Sequence, residues 1–220
     1  MKPSGGPPGR DSTPTYSVSG LMAYEACPYQ YYLTYVRRVP PPLSPAMALG
    51  TNIHALIAAH FTQPSLLEPE ATPEALELFN RFLQSRLNTR AILFEQAFTL
   101  PFAGSSVRGR IDAVFPLDDR RLELVDFKSG RPEARAWLGD TLQLPLYGMA
   151  VADRFGRSPE ELLYTYHFLR DGSEQTTAPA PDSTERITQR VETILQAIQR
   201  CQFMARPGCQ CYACRRDASG

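Results

Sequence analysis

The apolar period of this chain switches in mid-sequence from that of helices to that of strands, and then back. Between Ala46 and Leu87 apolar residues recur three and four apart. Met47, Gly50, His54, Ile57 and Phe61 share one helical face over about 46–61, and Leu76, Phe79, Leu83 and Leu87 share another in a helix opened by Thr72-Pro73-Glu74. From Ile92 the period drops to two. Ile92–Phe102, Val107–Phe115 and Leu122–Lys128 have the alternation of strands, and the polar turn Pro116-Leu117-Asp118-Asp119-Arg120 folds the second and third into an antiparallel hairpin. Helical spacing returns at Asp140 or Thr141 and runs to Phe155, with Pro145 tolerable only because it lies near the start. A fourth strand, Leu162–Leu169, precedes a long helix from Asp182 or Thr184 to Phe203. Upstream, Ser19 is placed to cap a short helix toward Cys27, Pro28 suits the first turn of a helix over Tyr29–Val36, and Pro40–Pro45 breaks the chain. Strands flanked by helices, with an antiparallel hairpin in the middle, predict an α/β fold around a central mixed sheet.

A chain of 220 residues has room for one substantial domain. No apolar run reaches the ~18 residues of a membrane span. Met1–Thr15 is rich in Pro, Gly and Ser and has no apolar h-region, so it reads as a disordered tail and not a signal peptide. The expected organisation is a tail over 1–15 and a single domain over 16–220. That domain divides into a helical part at 16–90, a core at 91–170 and a C-terminal helix with a cysteine cluster at 182–214. The expected location is the cytoplasm. The formal net charge is zero, which excludes a uniformly basic coat for nucleic acid and leaves only local contacts. Of 23 basic residues only Lys2 and Lys128 are lysines. A lone lysine in the folded body suggests work for a compact ammonium that guanidinium does badly.

Lys128 sits where such work is plausible. Side chains alternate in a strand, so Leu122, Leu124, Asp126 and Lys128 share one face, and Arg110 and Asp112 point together from the facing strand. With Asp112 across from Asp126, two carboxylates converge beside one amine. Such carboxylates repel unless a cation neutralises them, and hard oxygen ligands suit Mg²⁺ or Mn²⁺. The alternative is a surface ion pair between Asp126 and Lys128, worth at most ~1 kcal/mol.

Three segments in order extend the pattern: Gly109-Arg110-Ile111-Asp112, Val125-Asp126-Phe127-Lys128-Ser129-Gly130 and Gln143-Leu144-Pro145-Leu146-Tyr147. Together with His54 in a preceding helix they resemble the signature of the PD-(D/E)XK nucleases. That signature is a helical His, G-x-x-D, D/E-x-K with a trailing Thr/Ser-Gly, and Q-x-x-x-Y. From about Tyr16 onward the chain is similar to the nuclease domains of RecB and AddB, to the CRISPR-adaptation nucleases and to stand-alone RecB-family exonucleases. The resemblance implies a restriction-endonuclease-like core and a metal-dependent DNA nuclease, acting as an exonuclease on single-stranded ends. It implies work in recombination repair with a helicase partner, or in CRISPR adaptation. No G-x-x-x-x-G-K-[ST] motif occurs, so a motor would be another chain. Asp112, Asp126 and Lys128 become the catalytic residues by this resemblance. His54, Asp112, Asp126 and the carbonyl of Phe127 become metal ligands, with Glu95 behind them. From spacing alone His54 on an apolar face is more often a hydrogen-bonded core residue than a ligand; His60 and His167 receive no role.

Gln143, Tyr147 and Arg154 fall on one stripe of their helix and make a candidate phosphate-gripping strip. Tyr29, Tyr31, Tyr32 and Tyr35 are available either to stack bases or to fill a core. Of five cysteines, Cys209, Cys211 and Cys214 cluster near the C-terminus, which in a reducing compartment suggests metal binding over disulfides. Relatives with an iron–sulfur cluster take one Cys from a segment like Cys27-Pro28-Tyr29 and three from the C-terminus. Their last ligand would fall at Gly220 here. Cys209 is the candidate substitute, so that Cys27, Cys209, Cys211 and Cys214 hold a 4Fe–4S cluster or a structural Zn²⁺; the alternative is a degenerate site of free thiols. A rival of another class is a DNA-end-binding scaffold with a vestigial centre.

Overall fold

A computed structural model of the chain describes residues 13–62, 71–131 and 141–217. Its elements are β1 (Thr15–Ser17), α1 (Val18–Ala26), α2 (Pro28–Tyr31) continued by a π-helical turn (Tyr32–Val36), α3 (Pro45–Thr62), α4 (Pro73–Leu83), β2 (Leu93–Phe102), β3 (Ser105–Pro116), β4 (Leu122–Lys128), α5 (Gln143–Phe155), β5 (Leu162–Phe168), β6 (Glu174–Thr177), α6 (Ser183–Gln199) and α7 (Tyr212–Asp217). The sheet is mixed, as the sequence predicts. β3 pairs antiparallel with β2 and β4, β4 runs parallel to β5, and β6 closes the far edge antiparallel to β5. The β2–β3 turn passes through Gly104 at φ 68°, a left-handed position that glycine takes without penalty.

Both faces of the sheet are covered, which is why Leu122–Phe127 of β4 is buried at every position. On one face Val114 and Leu124 pack with Leu21 of α1, Leu146 of α5 and Val191 of α6. On the other, Ala113, Val125 and Phe127 pack with Ile53 and Ile57 of α3 and Phe82 of α4. Gly148 lets α5 approach the sheet closely: a Cβ there would lie 2.1 Å from the Tyr164 hydroxyl.

Several local expectations shift. α1 is capped by Ser17, whose hydroxyl accepts from the Gly20 amide at 3.0 Å, and Ser19 lies inside the helix. α3 buries Leu49, Ile53, Leu56 and Ile57, while Met47 is exposed. α4 buries Ala75, Leu78, Phe79 and Phe82, while Leu76 is exposed and the helix stops at Leu83. Each helix carries two interleaved apolar stripes, and packing set which of them enters the core cluster. α5 opens at Gln143; Asp140 lies outside the described residues, and the Thr141 hydroxyl bonds Tyr166 at 3.0 Å. α6 ends at Gln199, before Phe203. Three short elements have no sequence precursor above: β1, β6 and α7. β1 falls partly inside the expected tail, since Thr15–Ser17 pairs parallel with Ser106–Arg108; residues 1–12 lie outside the described residues.

Of the four tyrosines only Tyr31 is core; Tyr29 and Tyr32 are half-buried and Tyr35 is exposed. Tyr31 is buried and stacks on Tyr35 (5.1 Å between centroids) and Phe203 (6.1 Å), and Tyr32 stacks on Phe203 at 5.3 Å. These rings join the first helices to the segment after α6, so Tyr31 offers no face to a base.

Candidate active site

The site grows from a gap in strand pairing. One edge of β3 is paired to β2 along most of its length. The other edge is shared: β1 pairs at Ser106–Arg108 and β4 at Ala113–Pro116. Between them the Gly109–Asp112 stretch has no neighbour on that edge among the described residues. Extending the Ala113↔Val125 register by one residue sets Asp112 opposite Asp126. There a side chain replaces the ladder: the Phe127 amide donates to Asp112 Oδ2 at 2.9 Å. Both carboxylates are buried, at 8% and 2% exposure.

β2 brings a third acid. Glu95 lies between Phe94↔Ala113 and Gln96↔Ile111, so the register is the same on either side and no residue is inserted. Yet its φ is +46°, a conformation that costs a non-glycine residue of order 1–3 kcal/mol. Arg110 Nη1 donates to Glu95 Oε2 at 3.2 Å. From α3, His54 Nε2 lies 2.9 Å from the Phe127 carbonyl oxygen. With the proton on Nε2 donated to that carbonyl, Nδ1 presents its lone pair toward Glu95 (3.8 Å) and Asp112 (3.6 Å). Ligand atoms of His54, Glu95 and Asp112 all lie within 4.8 Å of one another.

α5 organises the other half. Gln143 Nε2 donates to Asp126 Oδ1 at 2.7 Å and to the Tyr147 hydroxyl at 3.2 Å, and Lys128 Nζ donates to Gln143 Oε1 at 2.9 Å. Lys128 Nζ is 2.6 Å from Asp126 Oδ2 and sits 4.7 Å from the centroid of the Tyr166 ring. Oδ2 is buried, and the Lys128 ammonium is the charge that neutralises it. A cleft of about 550 Å³ opens over Gly50, His54, Glu95, Arg110, Asp112 and Tyr147. A separate cavity of about 400 Å³ beside Gly148, Leu162 and Tyr164 is mainly apolar, with Asp153 its one charged lining residue.

The electrostatics ask for positive charge. Burial, then the neighbouring Asp126, pushes the Asp112 carboxyl up to about 7 against the pull of His54. Burial lowers the His54 imidazole, but Glu95, Asp112 and Asp126 outweigh it and raise the group to about 9. Burial also opposes the Lys128 charge, and Asp126 more than restores it. The cluster recruits protons where a cation would serve. The carboxylates of Asp112, Asp126 and Glu95 together with an imidazole nitrogen fit a hard divalent ion, with the nitrogen favouring Mn²⁺.

The structure therefore brings together Asp112, Asp126, Lys128, His54, Gln143 and Tyr147, and moves Glu95 from the background into the ligand cluster. Phe127 contributes its carbonyl to His54. Arg154 stands apart, exposed in the last turn of α5 and about 16 Å along the helix from Gln143. Arg110, which pairs with Glu95, and Tyr166, in register with Asp126 on β5, received no role from the sequence. The parallel β4–β5 pairing was the missing signal for Tyr166. Outside the cleft, His60 bonds Asn88 and buried His167 bonds Glu174.

At the other end of the chain, the sulfurs of Cys27, Cys209, Cys211 and Cys214 lie within 4.8 Å of one another, with Cys27 and Cys214 at 3.7 Å. Cys201 is exposed and takes no part.

A mixed sheet covered by helices, with acids at the mouth of a split strand pair, defines a restriction-endonuclease-like α/β fold. The pattern of the PD-(D/E)XK nuclease superfamily matches residues 15–92 and 67–218, and the chain belongs to that superfamily. A solved structure of a candidate exonuclease from Eubacterium rectale superposes with a TM-score of 0.64 over 93% of this chain and 88% of that one, at 12% identity. The protein SSO0001 superposes at a TM-score of 0.44 over 86% of this chain and 78% of its own, at 16% identity. No curated protein matches in sequence. Among the described residues no helix is long and apolar enough to cross a membrane.

Proposed function

We propose that this protein is a Mg²⁺- or Mn²⁺-dependent deoxyribonuclease that works as an exonuclease on single-stranded ends. The convergence of Asp112, Asp126, Glu95 and His54 beside Lys128 carries the reading. Asp112, Asp126, His54 and Glu95 would hold the cation, with the Phe127 carbonyl close by. When bound, a divalent ion there supplies Lewis-acid neutralisation of a phosphate oxygen and makes water more acidic. Lys128, held by Asp126 and Gln143, directs its ammonium at the charge that builds on the phosphate in the transition state. Gln143 and Tyr147 shape the strand's seat, and Arg154 meets phosphates farther along α5. A local site on a chain of zero net charge suits capture of an end better than tracking along a duplex, and the structural likeness to a candidate exonuclease agrees. The setting is the cytoplasm, in recombination repair beside a helicase or in trimming DNA for CRISPR adaptation.

The test is cleavage of end-labelled single- and double-stranded oligonucleotides with Mn²⁺ or Mg²⁺, by the protein and by Lys128→Ala. Expected is progressive shortening of single strands that EDTA and the substitution both abolish. Cleavage without metal, or at full rate by Lys128→Ala, refutes the mechanism. Tight DNA binding with no cleavage under any metal makes the protein a scaffold.

A further inference from the structure

The four-thiol cluster lies apart from the carboxylates and does not depend on the nuclease reading. The resemblance drawn from sequence implies a 4Fe–4S cluster at these cysteines. In such a cluster each cysteine binds its own iron, so the four thiolates stand outside a core of irons and sulfides, on different sides of it. Here all four sulfurs lie within 4.8 Å of one another. That tetrahedron has no space for a cubane between its corners. A single tetrahedral ion with metal–sulfur bonds of about 2.3 Å sets its sulfurs about 3.8 Å apart by geometry alone. Cys27 and Cys214 are at 3.7 Å. The sequence departs from the cluster pattern at the same place: Gly220 stands where the last cysteine would be, and Cys209, one residue from Cys211, joins the set instead.

We propose that Cys27, Cys209, Cys211 and Cys214 bind one Zn²⁺ and no iron–sulfur cluster. Binding releases four thiol protons and leaves a centre of net charge −2. The backbone near the sulfurs supports that charge: main-chain groups of Gln30 and Arg206 favour the Cys27 thiolate, and that of Cys214 favours the Cys211 thiolate. Arg206, Arg215 and Arg216 belong to the same loop and helix. Zinc is redox-inert, so the centre is a staple. It joins the α1–α2 junction to the segment around α7, where Thr34 bonds Tyr212 at 2.5 Å; nearer α6, Tyr24 of α1 donates to the Gln202 carbonyl at 2.6 Å.

The experiment is to purify the full chain without oxygen from cells supplied with both iron and zinc, then assay zinc, iron and acid-labile sulfide. A thiol-specific mercurial is then titrated while released zinc is followed, which separates thiolate-bound zinc from any at the carboxylates. Expected are a colourless protein, no sulfide, and one zinc released per chain as the four clustered thiols react after the exposed Cys201. Cobalt exchange should give the visible bands of tetrahedral thiolate cobalt, Cys211→Ser should lose the released zinc, and Cys201→Ser should keep it. A brown protein containing iron and sulfide overturns the proposal. So does a protein whose thiols react with no zinc released, a result that needs no variant to fold.

Discussion

Replacing Arg86 with Met should destabilise the protein by about 2–3 kcal/mol, although Arg86 lies outside the cleft. Its guanidinium bonds both oxygens of Glu123 at 2.7 and 2.8 Å and also reaches Glu174 on β6. The Glu123 side chain is 3% exposed on β4 and also accepts a hydrogen bond from the Thr165 hydroxyl at 2.7 Å. Breaking a fully buried pair costs about 3–5 kcal/mol, and an exposed one about 0–1 kcal/mol. The Arg86 side chain is 49% exposed, so solvent screens part of the loss and the expectation falls between. For a chain of this size that is a drop in Tm of about 4–12 °C. The pH dependence has a definite sign. Burial opposes the Glu123 charge, but Arg86 outweighs it and holds the carboxyl below its usual range. Its contribution is therefore present above the unfolded value of about 4.3 and lost as pH falls through the lower folded value. In Arg86→Met burial is opposed by Thr165 and His167 without the guanidinium, so Glu123 takes a proton at higher pH. The gap between the two proteins should be widest at neutral pH and should narrow toward pH 4.5. Urea denaturation at both pH values reads this, with Arg86→Met/Glu123→Gln recovering most of the loss. Equal midpoints at neutral pH, or a gap that stays constant into acid, would refute the reasoning.

Gln143→Ala should lower kcat on a single-stranded oligonucleotide by roughly 10²-fold, because Asp126 and Lys128 lose their common anchor; a change confined to KM would instead make Gln143 a strand contact. Mn²⁺ should bind at least tenfold more weakly at pH 6 than at pH 8. Asp112, pushed up to about 7, and His54, raised to about 9, must give up protons to bind it; calorimetry showing no proton release on binding contradicts this. Gly148→Ala should cost about 1–3 kcal/mol by overpacking against Tyr164, which is 5% exposed and has little room to move; an unchanged melting temperature would mean that α5 shifts freely on the sheet.

Some of this was legible because it is local. The β3–β4 hairpin follows from alternation and a polar turn, and it carries Asp112, Asp126 and Lys128 onto one side. The order of the motifs led to His54, Gln143 and Tyr147. Other features were hidden because they depend on distant partners. The role of Glu95 rests on a left-handed backbone opposite Asp112, which no propensity of Glu suggests. The burial of Tyr31 rests on Phe203 returning from beyond α6. β6 is only Glu174–Thr177 and becomes a strand by pairing with β5, where Thr165 meets Thr176.

The sequence by itself determined that two acids and one lysine would face the same way from neighbouring strands, since strand alternation and a short turn are set within a few residues. It also determined the succession of helix and strand, since apolar period is local. Only the tertiary structure decided that His54 and Glu95 complete the cluster, and that four thiols from opposite ends of the chain close to single-ion spacing. Those outcomes depend on how helices cross the sheet and where the ends dock, and contacts between residues far apart in sequence are settled by the packing of the whole core.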